Sequence, residues 1–198
     1  MVSVTDWGHL YRDHVDALDA LASDLTDQQL ATVVPATPEW TVHEVLAHVA
    51  GVAHDAVTGR MDGAPGSEWT GRHVSERRER PVAELLTELR AHQDAVVEMV
   101  ADNPRPAFVW NLVVHHADLH EALGLPMMPE RLWEPVADAV APMAPGLAEA
   151  VTPYELFRAV FSRRSRSQMR AWGTGLSDEE LDAACLFGPR EDDQPTPA

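Results

Sequence analysis

Lysine is absent from this chain; all 15 of its basic side chains are arginine, set against 32 acidic ones. That excludes any mechanism built on a lysine Schiff base. Cysteine occurs once, at Cys185, so no disulfide can form within the chain, as expected for a reducing, cytoplasmic setting. No apolar run approaches the roughly 18 residues that a membrane helix needs. The opening stretch MVSVTDWGHLYRDH lacks the basic start and apolar core of a secretory signal. Positive charge is scarce: the net charge is −17, which repels phosphate backbones and anionic bilayers, so neither nucleic acid nor a membrane is an expected partner. Alternating β-branched runs between turn signals are also missing, which leaves no convincing strand.

What is present is helical periodicity. Apolar residues make up 45% of the 198, enough for a buried core. Trp7, Tyr11, His14, Leu18, Leu21 and Leu25 step by fours and threes, which predicts a first helix from about Asp6 to Ala22. After the link VVPATPEWT, Thr41 with Glu44 forms a capping box. The helix it opens carries Val45, His48, Val49 and Val52 on one face and ends near Gly59. MDGAPGSEWTGRH reads as a long, Gly-rich loop. Pro81 opens a third helix with Val82, Leu85, Leu86, Leu89, Val96 and Val100 inward; Pro106 opens a fourth that runs to Gly124. A fifth is expected from Pro129 to Val140, a sixth from Thr152 to about Trp172, and a short last one after Ser177. The expected fold class is all-α, a four-helix bundle with short additional C-terminal helices. Its divisions are residues 1–126 for the bundle, 127–187 for a helical extension packed on it, and 188–198 for a disordered tail.

The chemistry concentrates where polar groups interrupt apolar faces. His48 lies between Val45 and Val52. In the fourth helix, Phe108, Leu112, Leu119 and Ala122 define an apolar stripe on which His115 falls. Asn111 and Asp118 stand four before and three after it, neighbours on a helix surface. One histidine from each helix, with an amide and a carboxylate beside them, is a donor set suited to a divalent ion. A hydrogen-bonded core histidine is the competing reading, and periodicity leaves both open; for His14 it favours the core role. His116 and His120 sit about 100° round the helix from His115 and form their own pair, expected at a surface or interface.

These segments resemble a known family. TPEWTVHEVLAHVAG, with His48 eight residues after Trp40, and NLVVHHADLHEALG are similar to the two signatures of the mycothiol-dependent maleylpyruvate isomerase N-terminal domains of the DinB-like superfamily. LFRAVFSRRSRSQMRAW also resembles C-terminal segments of relatives. The resemblance implies an up-down-down-up DinB-like bundle holding a divalent metal, often zinc, with His48 and His115 as ligands. It implies mycothiol, or a similar low-molecular-weight thiol, as cofactor, and a transferase or isomerase reaction in which the metal favours the thiolate. In the isomerase, the thiol adds to a double bond, a bond rotates, and the thiol leaves. One departure stands out: the family's glutamate falls at Asn111. A neutral amide is a weaker zinc ligand than a carboxylate. Asn111 therefore ligates weakly, Asp118 substitutes or supports from behind, or the metal is lost.

Two further features complete the expectations. Arg163, Arg164, Arg166 and Arg170 form a dense basic patch, either a solvated face or, through Arg163 and Arg164, a grip on an acidic substrate or thiol cofactor. Trp69, in the expected loop, is either a lid or a loop anchor. Cys185 has no neighbouring base in sequence to activate it. The leading expectation is a thiol-dependent enzyme acting on a small molecule; the alternative is a non-catalytic bundle with a degenerate metal site that binds a small ligand or a protein. A homodimer is compatible with a bundle of this size.

Overall fold

A computed structural model describes residues 5–197; the first four residues of the N-terminal stretch and the last residue of the expected tail lie outside it. The described residues contain helices joined by turns and one isolated antiparallel bridge, Val33 to Thr41, with no strand among them. The chain divides into two compact units, with the boundary between Leu125 and Pro126 in sequence.

Four long helices build the first unit: α1 (Trp7–Ser23), α3 (Val42–Thr58), α5 (Val82–Val100) and α6 (Ala107–Ala122). A single turn, α2 (Asp27–Leu30), lies in the link after α1, and α4 (Ser67–Arg77) crosses between α3 and α5. Asp6 starts α1 by accepting a hydrogen bond from the His9 amide, and the Thr41–Glu44 capping box starts α3 as expected. Gly59, at φ 75°, closes α3 in the left-handed region, where an L side chain would be strained. α5 and α6 each pack against both α1 and α3, so the four close into a ring around one core. Leu18, Val45, Leu46, Leu85, Leu89 and Leu112 are almost fully excluded from water, each worth about 1.5–3 kcal/mol of transfer free energy.

Packing against two neighbours explains why α6 is buried on more than one face. His115 turns toward α3, while His116 turns toward α1, where its Nδ1 lies 2.9 Å from Nδ1 of the fully buried His14. The sequence places His116 and His120 at a surface or interface. The structure buries His116, at 2% exposure, and half-buries His120 with its ring against that of His116. Burial and the neighbouring His14 and His120 hold the His116 imidazole well below its usual pKa.

The expected loop over residues 61–73 is a second correction, since its latter half is helix α4. Its inward row, Trp69, His73 and Arg77, keeps a perfect step of four, but a histidine and an arginine fill places where aliphatic residues would have signalled a helix. Arg77 donates through Nε and Nη2 to both oxygens of Glu88 at 2.9 and 2.8 Å, tying α4 to α5.

The second unit comprises α7 (Glu130–Val140), a 3-10 turn at Ala141–Met143, α8 (Pro145–Ala148), α9 (Pro153–Val160), α10 (Arg166–Ala171) and α11 (Asp178–Ala183), with α7 packed on α9. The single sixth helix expected up to Trp172 is two helices. Ser162 takes φ 60°, and Ser165 opens α10 with its own capping box to Gln168. A serine that caps a new helix competes with continuation of the old one. Residues after Gly188, expected as a disordered tail, return to this unit. Arg166 N donates to Arg190 O at 2.9 Å, and Gln168 exchanges hydrogen bonds with the Gln194 backbone.

Candidate metal centre

The imidazoles of His48 on α3 and His115 on α6 face each other with ring centroids 4.9 Å apart and planes 80° apart. Both side chains are buried. The Asn111 amide completes the group: its Nδ2 stands 3.3 Å from His48 Nε2. Asn111 and Trp40 are half-buried, so the cluster approaches the surface of the bundle at that side. Trp40 covers His48 at 4.8 Å between ring centroids and lies 6.2 Å from His115. The three expected ligands, His48, Asn111 and His115, are therefore brought together.

Asp118 sits behind His115, and its Oδ2 accepts a hydrogen bond from His115 Nδ1 at 3.1 Å. It is almost fully buried. A carboxylate at Nδ1 fixes the proton there and leaves Nε2 as the ligating nitrogen, the usual outer support of a metal-bound histidine.

A comparable arrangement stands behind His48, and sequence reasoning missed it. His73 Nδ1 lies 3.2 Å from His48 Nδ1, and His73 Nε2 donates to Asp55 Oδ2 at 2.9 Å. His73 and Asp55 are fully buried. Arg72 Nη2 also donates to Asp55 Oδ2, in a very short contact, and Arg60 approaches the other oxygen at 3.9 Å. Burial pushes the Asp55 carboxyl upward, but the His73 and Arg72 contacts outweigh it and hold the carboxyl below its ordinary value. Burial likewise pushes the His73 imidazole below its ordinary value, against the opposing pull of Asp55. The signal was present: Asp55 follows His48 by seven residues, two turns along the same face.

Trp69, expected in a loop, lies in a helix. It is buried in α4, donates from Nε1 to Arg60 O at 3.1 Å, and sets its ring 4.2 Å from that of His73 and 6.3 Å from that of His48. Arg163 and Arg164 belong to the second unit and are buried, not a solvated face. Arg164 donates through Nε and Nη2 to both oxygens of Glu155 at 2.6 and 3.0 Å, and Arg163 Nη1 donates to Phe161 O at 2.7 Å. Cys185 is buried too; burial and nearby Asp182 push its thiol upward, opposite to what a nucleophile requires.

The bundle holds a second set of ligand atoms. His54 on α3 and Glu88 and His92 on α5 bring one ligand atom each within 4.8 Å of one another. This His-His-Glu cluster could bind a metal ion. It is half-buried, and Glu88 is already engaged by Arg77 and, at 2.6 Å, by Arg80, which draws electron density from the carboxylate.

An all-α ring of four long helices, with a buried histidine pair facing inward from α3 and α6, defines a DinB-like bundle. The family model of the mycothiol maleylpyruvate isomerase N-terminal domain matches residues 11–140, and the chain belongs to that family. The match begins within α1 and continues through the rest of the bundle to the end of α7. No curated protein and no solved structure matches the chain. No helix of the described residues is long and apolar enough to cross a membrane.

Proposed function

We propose that the bundle binds one divalent ion, zinc by donor type, at His48, His115 and Asn111, and that the protein uses a low-molecular-weight thiol of the mycothiol kind in a transferase or isomerase reaction on a small molecule. The observation that carries this reading is the facing His48–His115 pair, with a hydrogen-bond partner at the Nδ1 of each ring. The donor set fits: two imidazoles suit zinc, and the Asn111 oxygen supplies a third ligand once the amide turns. Two neutral imidazoles and a neutral amide leave the ion its full charge, balanced from behind by Asp118 and Asp55. A divalent ion held there supplies positive charge that favours the ionised form of a thiol. The chain's own contribution is positional. Asp118 holds His115, Trp40 shields His48 from water, and the Asn111 Nδ2–H can donate to a ligand when it is not paired with His48.

Titration of the full-length, metal-stripped chain with zinc is expected to show an equivalent that disappears in His48→Ala and His115→Ala and survives in His92→Ala. Loss in His92→Ala alone would move the site to the His54–Glu88–His92 cluster. A second reading, a non-catalytic bundle with a degenerate site, is favoured by Asn111 itself. It expects no zinc bound by the parent and an equivalent gained in Asn111→Glu; zinc binding by the parent through His48 and His115 would remove it.

A further inference from the structure

The four groups Asp55, His73, His48 and Asn111 form a continuous chain across α3, α4 and α6, with separations of 2.9, 3.2 and 3.3 Å. Donor and acceptor counting allows one assignment that makes every link with neutral imidazoles. The ionised Asp55 can only accept, so His73 carries its proton on Nε2. A neutral His73 then has a bare Nδ1, which can only accept. His48 must donate from its own Nδ1, which leaves Nε2 as a lone pair facing the Asn111 amide.

Two independent features of the fold hold the chain in place. Gly51 lies one turn from His48 and one from Asp55 on α3. A Cβ there would stand 2.5 Å from both Cβ and Cγ of His73, so only glycine admits the His73 ring to this position. On the far side, Arg72 clamps Asp55, and Trp69 packs its ring on His73.

We propose that Asp55 and His73 are positioning residues that lock His48 in the Nδ1-protonated tautomer, with Nε2 directed to the ligand site, so that a carboxylate two groups away compensates part of the charge that Asn111 does not carry. The role of the lone pair rests on the metal reading above; the tautomer does not, and it is set before any ion binds. Asp118 gives His115 its support directly, whereas Asp55 acts on His48 through a second imidazole. The two ligand histidines thus present the same nitrogen by different routes.

Long-range proton–nitrogen NMR of the full-length, metal-free chain tests the assignment directly. The His48 Nδ1 resonance is expected in the protonated range and Nε2 in the bare range, with His73 showing the reverse. In Asp55→Leu, which leaves His73 Nε2–H without its acceptor, the His48 signals should move toward tautomer averaging, and zinc affinity should fall about 10–100-fold, the usual effect of removing an outer partner of a ligating histidine. His115 should keep its tautomer. His73→Asn, whose amide oxygen can replace the accepting Nδ1, should retain the His48 tautomer, whereas His73→Leu should lose it. An Nε2-protonated His48 in the parent overturns the proposal, and this reading needs no variant to fold. Unchanged His48 signals in both Asp55→Leu and His73→Leu overturn it as well. If the tautomers are as expected but zinc does not bind, the positioning role stands and the metal reading falls.

Discussion

Asp55 is fully buried, yet it is ionised, because His73 and Arg72 donate to it. Removing the charge while keeping the shape, as in Asp55→Asn, should cost about 2–3 kcal/mol at neutral pH, the scale of a charge-assisted hydrogen bond lost in a buried site. The sign of the pH dependence follows from the lowered carboxyl. Its stabilisation is complete above the unfolded value of about 3.9 and fades as pH falls through the lower folded value. Urea unfolding of parent and variant is therefore expected to differ at pH 7, with the gap narrowing as pH falls below the unfolded value of about 3.9; a gap that stays constant on further acidification would contradict this. At this same scale, His48, His115 and Asn111 were legible because they break an apolar stripe. Asp55 carried a signal in its place two turns after His48, but His73 carried none, because nothing in a one-dimensional pattern says that a residue of α4 enters the space beside α3.

At the scale of elements, the close approach of α4 to α3 depends on Gly51. A methyl group there would force the His73 ring away, since the ideal Cβ position is already 2.5 Å from its atoms. Gly51→Ala is expected to lower stability by about 1–3 kcal/mol, as overpacking does, despite the better helix propensity of alanine. It should also weaken zinc binding through His48. Denaturant midpoints and a zinc isotherm on the same variant check both effects, and an unchanged or raised midpoint would refute the packing argument. The starts of α3, α9 and α11 were legible because capping residues act locally and leave a fixed spacing. α4 was not, since its inward row is built from Trp69, His73 and Arg77, whose partners lie on other helices. The break between α9 and α10 was hidden for a related reason: Ser165 can sit in a helix or cap one, and the surroundings choose.

At the scale of the whole molecule, the chain divides at Leu125, and the second unit draws its last residues inward. Gln194 is 5% exposed, Ser165 Oγ donates to Asp193, and Arg166 N donates to Arg190 O. Deleting residues 189–198 should therefore lower the thermal midpoint, by a loss of order 1 kcal/mol per hydrogen bond removed; an unchanged midpoint would show that the segment contributes nothing. Composition alone did not reveal this, because polar, Pro-containing ends look alike whether or not a cap such as Gln168 waits for them. What the sequence determined by itself was the helical architecture, the bundle family and the inward placement of His48 and His115, because hydrophobic periodicity and capping are local and repeat along the chain. What only the tertiary structure decided was which groups stand behind those histidines and which arginines are buried. Those pairings depend on helices far apart in sequence meeting at a few ångströms, and the cost of burying an unpaired charge makes each such meeting specific.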